Sequence, residues 1–207
     1  MPRDKIYLVV EGHGEADKPY PDQDPAAKVL VAKMLQYVQC WRWFPSKRDP
    51  WRLGGGGFYP RTENLLRVLE AHKQFADCAA VLVLFDLEDD CPHDIGPQIA
   101  TQIRECDPWP FSILVVCAYR EYESWFLASL ESIQNGYKYE GDPEARRDVK
   151  GWLERKFGYK ETRDQATYTQ RLDVVLARER SRSFERLCHA FEQLKVVCEN
   201  GNVMVTP

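Results

Sequence analysis

The chain has 207 residues, of which 44% are hydrophobic and six are tryptophan, and this apolar content is enough for a single core. Apolar and aromatic residues run through the whole length, which excludes a disordered chain, and no apolar stretch approaches the ~18 residues of a membrane-spanning helix. The net charge of −4 argues against a protein that coats nucleic acid. Residues 1–143 are acidic and residues 144–186 are basic, as in a metal-dependent enzyme that acts on a polyanion and in many other proteins.

The cysteine usage is typical of a reduced, cytosolic protein. Seven cysteines occur, which is an odd number, and none belongs to a Cys-x-x-Cys pair. Several lie inside apolar runs, so we expect buried structural thiols. The first residues show no signal-peptide pattern, and we therefore expect a cytoplasmic protein without a membrane segment.

Three short apolar runs have the length of strands and no polar alternation, which is typical of strands buried on both faces of a parallel sheet. These runs are residues 6–10, 79–85 and 111–118. Segments with helical spacing separate them, and the alternation predicts an α/β fold with a mostly parallel sheet flanked by helices. The predicted helices between the strands are 25–39, 63–75 (capped by Thr62) and 95–104.

Beyond residue 140 the spacing of apolar residues is helical. The predicted helices of this part are 143–157, 167–178 and 184–196. We expect Ser183 to cap the last of them. The sequence therefore predicts an α/β core at residues 1–135 and a C-terminal helical extension at residues 140–207 that packs on this core.

Acidic residues follow each predicted strand at its carboxyl end. They are Glu11 and Glu15 after the first strand, Asp86, Glu88, Asp89 and Asp90 after the second, and Glu121 and Glu123 after the third. Ligands bind beyond the carboxyl ends of parallel strands, so these side chains are expected to meet. Clustered carboxylates need a cation, and oxygen ligands favour Mg²⁺ or Mn²⁺ over zinc. For any single carboxylate, the alternative is a helix cap or a solvated loop.

Two of these strand ends resemble the motifs of Toprim domains. The segment Val9-Val10-Glu11-Gly12-His13-Gly14-Glu15 looks like the first Toprim motif, and the spacing of its two glutamates is similar to the Glu-x-x-x-Glu of the overcoming-lysogenization-defect nucleases. The segment Leu84-Phe85-Asp86-Leu87-Glu88 resembles the Toprim Asp-x-Asp strand end, with Glu88 in the second acidic place. This departure lengthens the ligand by one methylene group.

Further segments resemble a Toprim-like family of bacterial proteins that is often encoded beside AAA/ABC-type ATPases in defence-associated gene clusters. Arg120-Glu121-Tyr122-Glu123-Ser124-Trp125-Phe126 looks like the third signature of that family. Asp164-Gln165 and Ser181-Arg182-Ser183-Phe184 are similar to its C-terminal part. The resemblance covers residues 5–194.

The resemblance implies a Toprim-like fold and Mg²⁺- or Mn²⁺-dependent hydrolysis of phosphodiester bonds. The metal ligands that it implies by position are Glu11, Glu15, Asp86, Glu88, Asp90 and Glu123. The catalytic residues that it implies are Glu11, Glu15, Asp86, Glu88 and Arg120. Among them, Glu11 would be a ligand or a general acid/base, and Arg120 would stabilise charge on the phosphate. His13 would assist proton transfer or would be only a polar loop residue.

Residues 41–61 interleave aromatic and basic side chains. One interpretation is a lip that binds an unpaired nucleic-acid strand, and the other is that the aromatic residues cover the sheet edge while the arginines lie over them. The four glycines Gly54–Gly57 lack a following Gly-Lys-Ser/Thr and predict a flexible turn, not a P-loop. The arginines between 178 and 186 either form a solvated helix face or contact nucleic acid or an acidic partner.

The leading hypothesis is a Toprim-type nuclease that cleaves DNA or RNA as the effector of an ATPase-coupled anti-phage system. The first alternative is a catalytically degenerate module that serves as a binding or regulatory partner of an ATPase. A phosphotransfer or phosphohydrolase activity on small substrates is the third hypothesis, and homo-oligomerisation is left open by the sequence.

Overall fold

The computed structural model describes residues 2–53, 62–87, 92–106 and 108–206. Within these ranges the chain forms one sheet of six strands and ten helices. The strands are β1 (Lys5–Val10), β2 (Phe44–Pro45), β3 (Trp51–Arg52), β4 (Cys78–Asp86), β5 (Ser112–Ala118) and β6 (Val205–Thr206). The helices are α1 (His13–Ala16), α2 (Ala26–Tyr37), α3 (Thr62–His72), α4 (Pro92–Arg104), α5 (Ser124–Ala128), α6 (Leu130–Ile133), α7 (Val149–Phe157), α8 (Glu161–Arg171), α9 (Val174–Arg180) and α10 (Arg182–Asn200).

The sheet has the strand order β2-β1-β4-β5-β6, and β3 also pairs with β1. Every pairing between the described strands is parallel. The predicted α/β fold with a mostly parallel sheet is therefore confirmed, and the three apolar runs of the sequence are β1, β4 and β5. These three strands form the centre of the sheet. Helices cover both faces of a parallel sheet there, so the side chains on both faces of a central strand are apolar.

The two faces of the sheet carry two separate hydrophobic clusters. Residues alternate between them along β1: Ile6 and Leu8 belong to the larger cluster, and Tyr7 and Val9 belong to the smaller one. The larger cluster also contains α2, α5 and the C-terminal helices, whereas the smaller cluster contains α3 and α4. The division of the chain at residues 135–140 stays a prediction, although Phe191 of α10 lies in the same cluster as Ile6.

The C-terminal part differs from the three helices that the sequence predicts, because it forms α7 to α10 and ends in a strand. The first helix begins only at Val149, after Asp148 adopts a left-handed φ of 54° and accepts a hydrogen bond from the Gly151 amide. Asp173 interrupts the second, since its side chain accepts from the amides of Val175 and Leu176 and starts a new helix. The final strand β6 pairs with β5, so the C-terminal part also extends the sheet.

The cap of the last helix is Ser181, and the prediction of Ser183 is wrong. The hydroxyl of Ser181 accepts from the Phe184 amide at 3.1 Å and donates to the carboxylate of Glu144 at 2.7 Å. Ser183 instead donates from its hydroxyl to Glu144 at 2.6 Å and accepts from the indole of Trp125 at 2.8 Å. The buried carboxylate of Glu144 thus ties the start of α10 to the loop that precedes α7.

Residues 41–53 lie at the edge of the sheet, where β2 and β3 both pair with β1. The predicted glycine turn at Gly54–Gly57 lies outside the described residues. The described thiols are free, and all of them are buried except Cys106, which is partly exposed; Cys91 lies outside the described residues. In the part of the chain that the structure describes, no helix has the length and apolar character needed to cross a bilayer.

Replacement of Ser181 by alanine should lower the free energy of unfolding by about 2 kcal/mol, because the first turn of α10 loses its cap and Glu144 loses a donor. Urea denaturation measures this change. The matched control is Gln193→Ala on the exposed side of the same helix, which should stay within about 0.5 kcal/mol of the wild type. Equal stability of the Ser181 variant and the wild type would contradict the assignment of the cap.

Candidate functional site

A pocket of about 480 Å³ lies at the carboxyl ends of β1, β4 and β5. Its acidic lining residues include Glu11, Glu15 and Asp86, and its basic lining residues are Arg120, Arg147 and Lys150. Four of the residues that the sequence singles out, namely Glu11, Glu15, Asp86 and Arg120, therefore come together. Two others, Glu88 and Asp90, lie outside the described residues. Parallel strands end on the same side of a sheet, which is why residues so distant in the chain meet here.

The two glycines of the first motif allow close approach around Glu15. A Cβ atom on Gly12 would stand 2.3 Å from Oε2 of Glu15, so only glycine lets that carboxylate fold back over the end of β1. A Cβ atom on Gly14 would stand 2.5 Å from Oε1 of Gln165, so the second glycine lets α8 pack against the motif. The spacing Glu-Gly-His-Gly-Glu thus has a steric reason that is independent of any ligand.

Hydrogen bonds join the ends of the three central strands. The amide of Asp86, the last residue of β4, donates to Oε2 of Glu11 at 3.3 Å. The Oδ1 atom of Asp86 accepts from the amide of Tyr122 at 2.9 Å, in the segment that follows β5. Asp86 therefore links the first and third strand ends and presents its carboxylate to the pocket between them.

Two carboxylates lie deeper, and both bind the same glutamine. The Nε2 group of Gln165 on α8 donates to Glu15 at 3.0 Å and to Glu123 at 3.1 Å. Tyr159 donates its hydroxyl to the same oxygen of Glu123 at 2.8 Å. Glu15 is 5% exposed and Glu123 is 0% exposed. Glu123 thus lies behind the pocket wall rather than in it, in contact with the C-terminal helices.

The second oxygen of each deep carboxylate is buried and has no hydrogen-bond partner among the residues that the structure describes. These atoms are Oε2 of Glu15 and Oε2 of Glu123. A buried polar atom that has lost water and gained no partner is costly, and such atoms are uncommon in folded proteins. A proton or a cation at this place would remove that cost, so the two oxygens indicate a site for a positively charged group.

Lys150 is a site residue that sequence reasoning missed, because it lies on a C-terminal helix and not at the end of a strand. Its Nζ atom is 3.3 Å from Glu161 and 3.8 Å from the unpartnered oxygen of Glu123, and its side chain reaches the pocket. Glu121 fixes its position, since the carboxylate accepts from the backbone amides of Val149 and Lys150 at 3.1 and 3.0 Å. Glu121 therefore holds the first turn of α7, whose N-cap is Asp148.

Two carboxyl groups at the site, those of Asp86 and Glu123, have raised pKa values. Burial, together with the charge of Glu15 and against the attraction of Lys150, raises the pKa of Asp86 well above its usual range. Burial, opposed by Lys150 and aided by Glu15, raises the pKa of Glu123 to about 8. Burial disfavours the charge of Lys150, but the neighbouring carboxylates outweigh it and raise the pKa of this ammonium group. Lys150 thus interacts favourably with several acids at once.

Arg120 lies at the rim of the pocket in an unusual backbone conformation. Its φ of 65° lies in the left-handed region, and a non-glycine residue there is held at a cost of about 1 kcal/mol or more. The guanidinium group donates from Nε to the carbonyl of Glu144 at 3.0 Å and lies 5.2 Å from the ring centre of Tyr119. This anchoring holds a positive charge beside the acidic wall.

The outer residue His13 is exposed. It pairs with Asp17 at 3.0 Å and contacts the guanidinium group of Arg52, so the structure gives it surface partners rather than a place in the pocket. Among the described residues, no three acidic, histidine or cysteine side chains already stand in an arrangement that holds a metal ion. The oxygen donors nearest to that role are Glu11, Glu15 and Asp86, because they line the pocket and are hard ligands of the kind that Mg²⁺ prefers.

The free energy of unfolding of the metal-free protein should fall with rising pH relative to that of Glu123→Gln. The folded chain keeps a proton on Glu123 up to a pKa of about 8, whereas the unfolded chain releases it near 4.5. The stabilisation that comes from the proton on Glu123 is therefore complete below pH 4.5. Above that pH it falls by up to about 1.4 kcal/mol per pH unit, and it is lost as the pH rises through 8.

Urea denaturation in a chelating buffer across this interval measures the difference. Glutamine imitates the protonated carboxyl and cannot titrate, so the two profiles should diverge with pH. The exposed Glu63→Gln is the matched control and should run parallel to the wild type. Parallel profiles for wild type and Glu123→Gln would contradict the assignment of a protonated Glu123.

Comparisons with protein-family models, with curated proteins and with solved structures find no match for this chain.

Proposed function

We propose that the chain is a Mg²⁺- or Mn²⁺-dependent nuclease of Toprim type that hydrolyses phosphodiester bonds. The observation that carries the proposal is the pocket at three parallel strand ends. It brings Glu11, Glu15 and Asp86 together with basic side chains, and the buried Oε2 of Glu15 lacks a hydrogen-bond partner among the described residues. Carboxylates that need a cation, in one pocket with basic side chains that can bind an anion, match a metal ion and a phosphate.

The donor set fits a hard divalent ion. Glu11, Glu15 and Asp86 would hold it, and the ion would polarise the phosphate and lower the pKa of a bound water. Its charge would replace the proton that burial now favours on Asp86, so binding of the ion and release of protons are linked. Glu88 and Asp90 stay predicted ligands, and Glu123 is better placed to position Gln165 and Lys150 than to reach the pocket.

The remaining residues of the pocket would act on the substrate. Arg120 and Lys150 are fixed cations at the rim and at the inner wall, and both would stabilise the negative charge that develops on a phosphate under attack. Glu11 accepts a hydrogen bond from the Asp86 amide and lines the pocket, where its carboxylate would take a proton from an attacking water.

We extend the proposal to an effector role beside an ATPase in phage defence, in the cytoplasm.

A second candidate function is a degenerate Toprim module that binds an ATPase without catalysis. One observation favours it. The ion pairs of Lys150 with Glu123 and Glu161 already neutralise part of the acidic cluster without a metal. The two functions differ in a measurable way, since only the first requires tight binding of a divalent ion at Glu11 and Asp86.

The substitution Asp86→Ala should lower the cleavage rate at least about a hundredfold, because it removes a carboxylate of the proposed metal site that also accepts from the Tyr122 amide. Purified protein would be incubated with single- and double-stranded DNA and RNA in Mg²⁺, Mn²⁺ or chelator. The exposed Glu63→Ala on α3 is the control and should cleave normally. Calorimetric titration with Mn²⁺ gives a second readout, in which Asp86→Ala and Glu11→Gln should lose the binding of the wild type.

Cleavage that survives Asp86→Ala would contradict the proposal. Wild-type protein that neither cleaves nor binds Mn²⁺ would favour the degenerate module instead.

Replacement of Lys150 by methionine should slow cleavage by about tenfold or more and lower the free energy of unfolding by about 1–3 kcal/mol. Methionine keeps the length of the side chain but removes the cation that lies near Glu123 and Glu161 and balances the acids of the pocket. The matched control is Lys156→Met on the exposed side of the same helix, which should change neither quantity. Initial cleavage rates and urea denaturation measure the two effects, and wild-type behaviour of the Lys150 variant would exclude it from the site.

A further inference from the structure

We propose that the sheet edge formed by β2 and β3 binds an unpaired nucleic-acid strand and guides it to the pocket. This surface, the aromatic edge, consists of Phe44 on β2 and Trp51 on β3 with the nearby cations Lys5, Arg48 and Arg52. The proposal rests on the proposed function for its final step, the delivery of the strand to the carboxylates. Binding itself is independent of cleavage and can be measured without it.

The two aromatic side chains lie on one face of the sheet. Phe44 stands opposite Lys5 of β1, and Trp51 stands opposite Val9. Positions 5 and 9 are an even number of residues apart, so their neighbours in register point the same way, about 13 Å from each other along the strand. Phe44 is 50% exposed and Trp51 is 47% exposed. The two exposed rings lie on strands that both pair with β1, so they form a row along this edge of the sheet.

The row leads toward the pocket. Because β1 runs parallel to β2 and β3, Trp51 lies nearer than Phe44 to the carboxyl end of β1. Arg52 stands opposite Val10, and the amide of Leu53 donates to the carbonyl of Val10 at 3.0 Å. Glu11, the first acidic residue of the pocket, follows directly in the chain. A strand that lies along the aromatic edge therefore meets the acidic site at its end.

The charge of the segment suits a polyanion. Residues 41–53 contain four basic residues and one acidic residue, although the whole chain has a net charge of −4. The one acid, Asp49, is already paired with Lys18 at 3.0 Å and with Lys28 at 3.6 Å. Positive charge thus predominates along a row of rings. Cations contact phosphates and rings stack on bases, and this combination is typical of surfaces that bind unpaired strands.

The interpretation that aromatic residues cover the sheet edge holds for part of this segment. Trp43 is buried and covers the sheet, and the guanidinium group of Arg48 lies 4.4 Å from the ring centre of Phe75. The exposed rings of Phe44 and Trp51 lie on the strands of this edge, and Trp41, which precedes β2, is also exposed. The ammonium group of Lys5 lies 5.0 Å from the ring centre of Phe44, close enough to hold a phosphate while a base stacks on the ring.

The occupant is an unpaired strand rather than a duplex or a second copy of the chain. Bases of a duplex present no free ring faces at its surface, whereas each base of a single strand does. A second copy would join through its edge strands, but β2 and β3 have two residues each and offer little backbone to pair with. The chemistry of the edge therefore favours stacking over strand addition.

The test measures the affinity of the full chain for fluorescein-labelled oligothymidine and oligouridine by anisotropy in chelating buffer, where cleavage is absent. Phe44→Ala and Trp51→Ala should each weaken binding by about tenfold, and Trp51→Phe should restore most of it. The control is Tyr137→Ala, an aromatic residue with 40% exposure among the C-terminal helices, which should bind like the wild type. Circular dichroism and urea denaturation verify that each variant is folded.

Unchanged affinity in folded Phe44→Ala and Trp51→Ala would overturn the proposal. So would equal binding of a duplex, an equal loss in Tyr137→Ala, or a wild type that binds neither strand. A dimer in sedimentation that Trp51→Ala dissociates would assign the edge to a second copy and would also overturn it. Failure of the proposed function looks different: strands still bind through the aromatic edge, but the wild type cleaves nothing in Mg²⁺ or Mn²⁺.

Discussion

The rest of the structure depends on the need to keep several carboxylates in a place with little water. Glu15 and Glu123 share the amide of Gln165, and Lys150 is the cation that stands nearest to the open oxygen of Glu123. Burial, opposed by Lys150 and aided by the charge of Glu15, raises the pKa of Glu123 to about 8. The remaining imbalance is the physical basis of the proposal that the pocket binds a divalent ion.

This constraint explains why the C-terminal helices belong to the site. Gln165 lies on α8 and Lys150 on α7, and Glu121 holds the start of α7 by accepting from two of its amides. The strand ends supply the acidic side chains. The C-terminal helices supply the hydrogen-bond donor and the cation that offset the cost of burying them. The aromatic edge, in contrast, comes mainly from the segment between α2 and α3. The proposed metal chemistry and the proposed strand binding therefore belong to different parts of the chain.

Much of the fold follows from the sequence, because a strand buried on both faces has to be apolar throughout and few other segments are. The runs at β1, β4 and β5 therefore predict the parallel sheet. The helix boundaries after residue 140 are less predictable, since Asp148 and Asp173 interrupt helices through local hydrogen bonds that compete with apolar spacing. The local backbone geometry decides whether these hydrogen bonds form, and the spacing of apolar residues carries no information about that geometry.

The sequence by itself determined that acidic residues end each central strand, because strand ends and motif spacing are local properties. Glu11, Glu15 and Asp86 were found in this way. Only the tertiary structure decided that Glu123 lies behind the pocket and that Lys150 reaches into it. The reason is physical: the burial of a charge, and the partner that compensates it, depend on which distant helices pack together, and no short stretch of sequence carries that information.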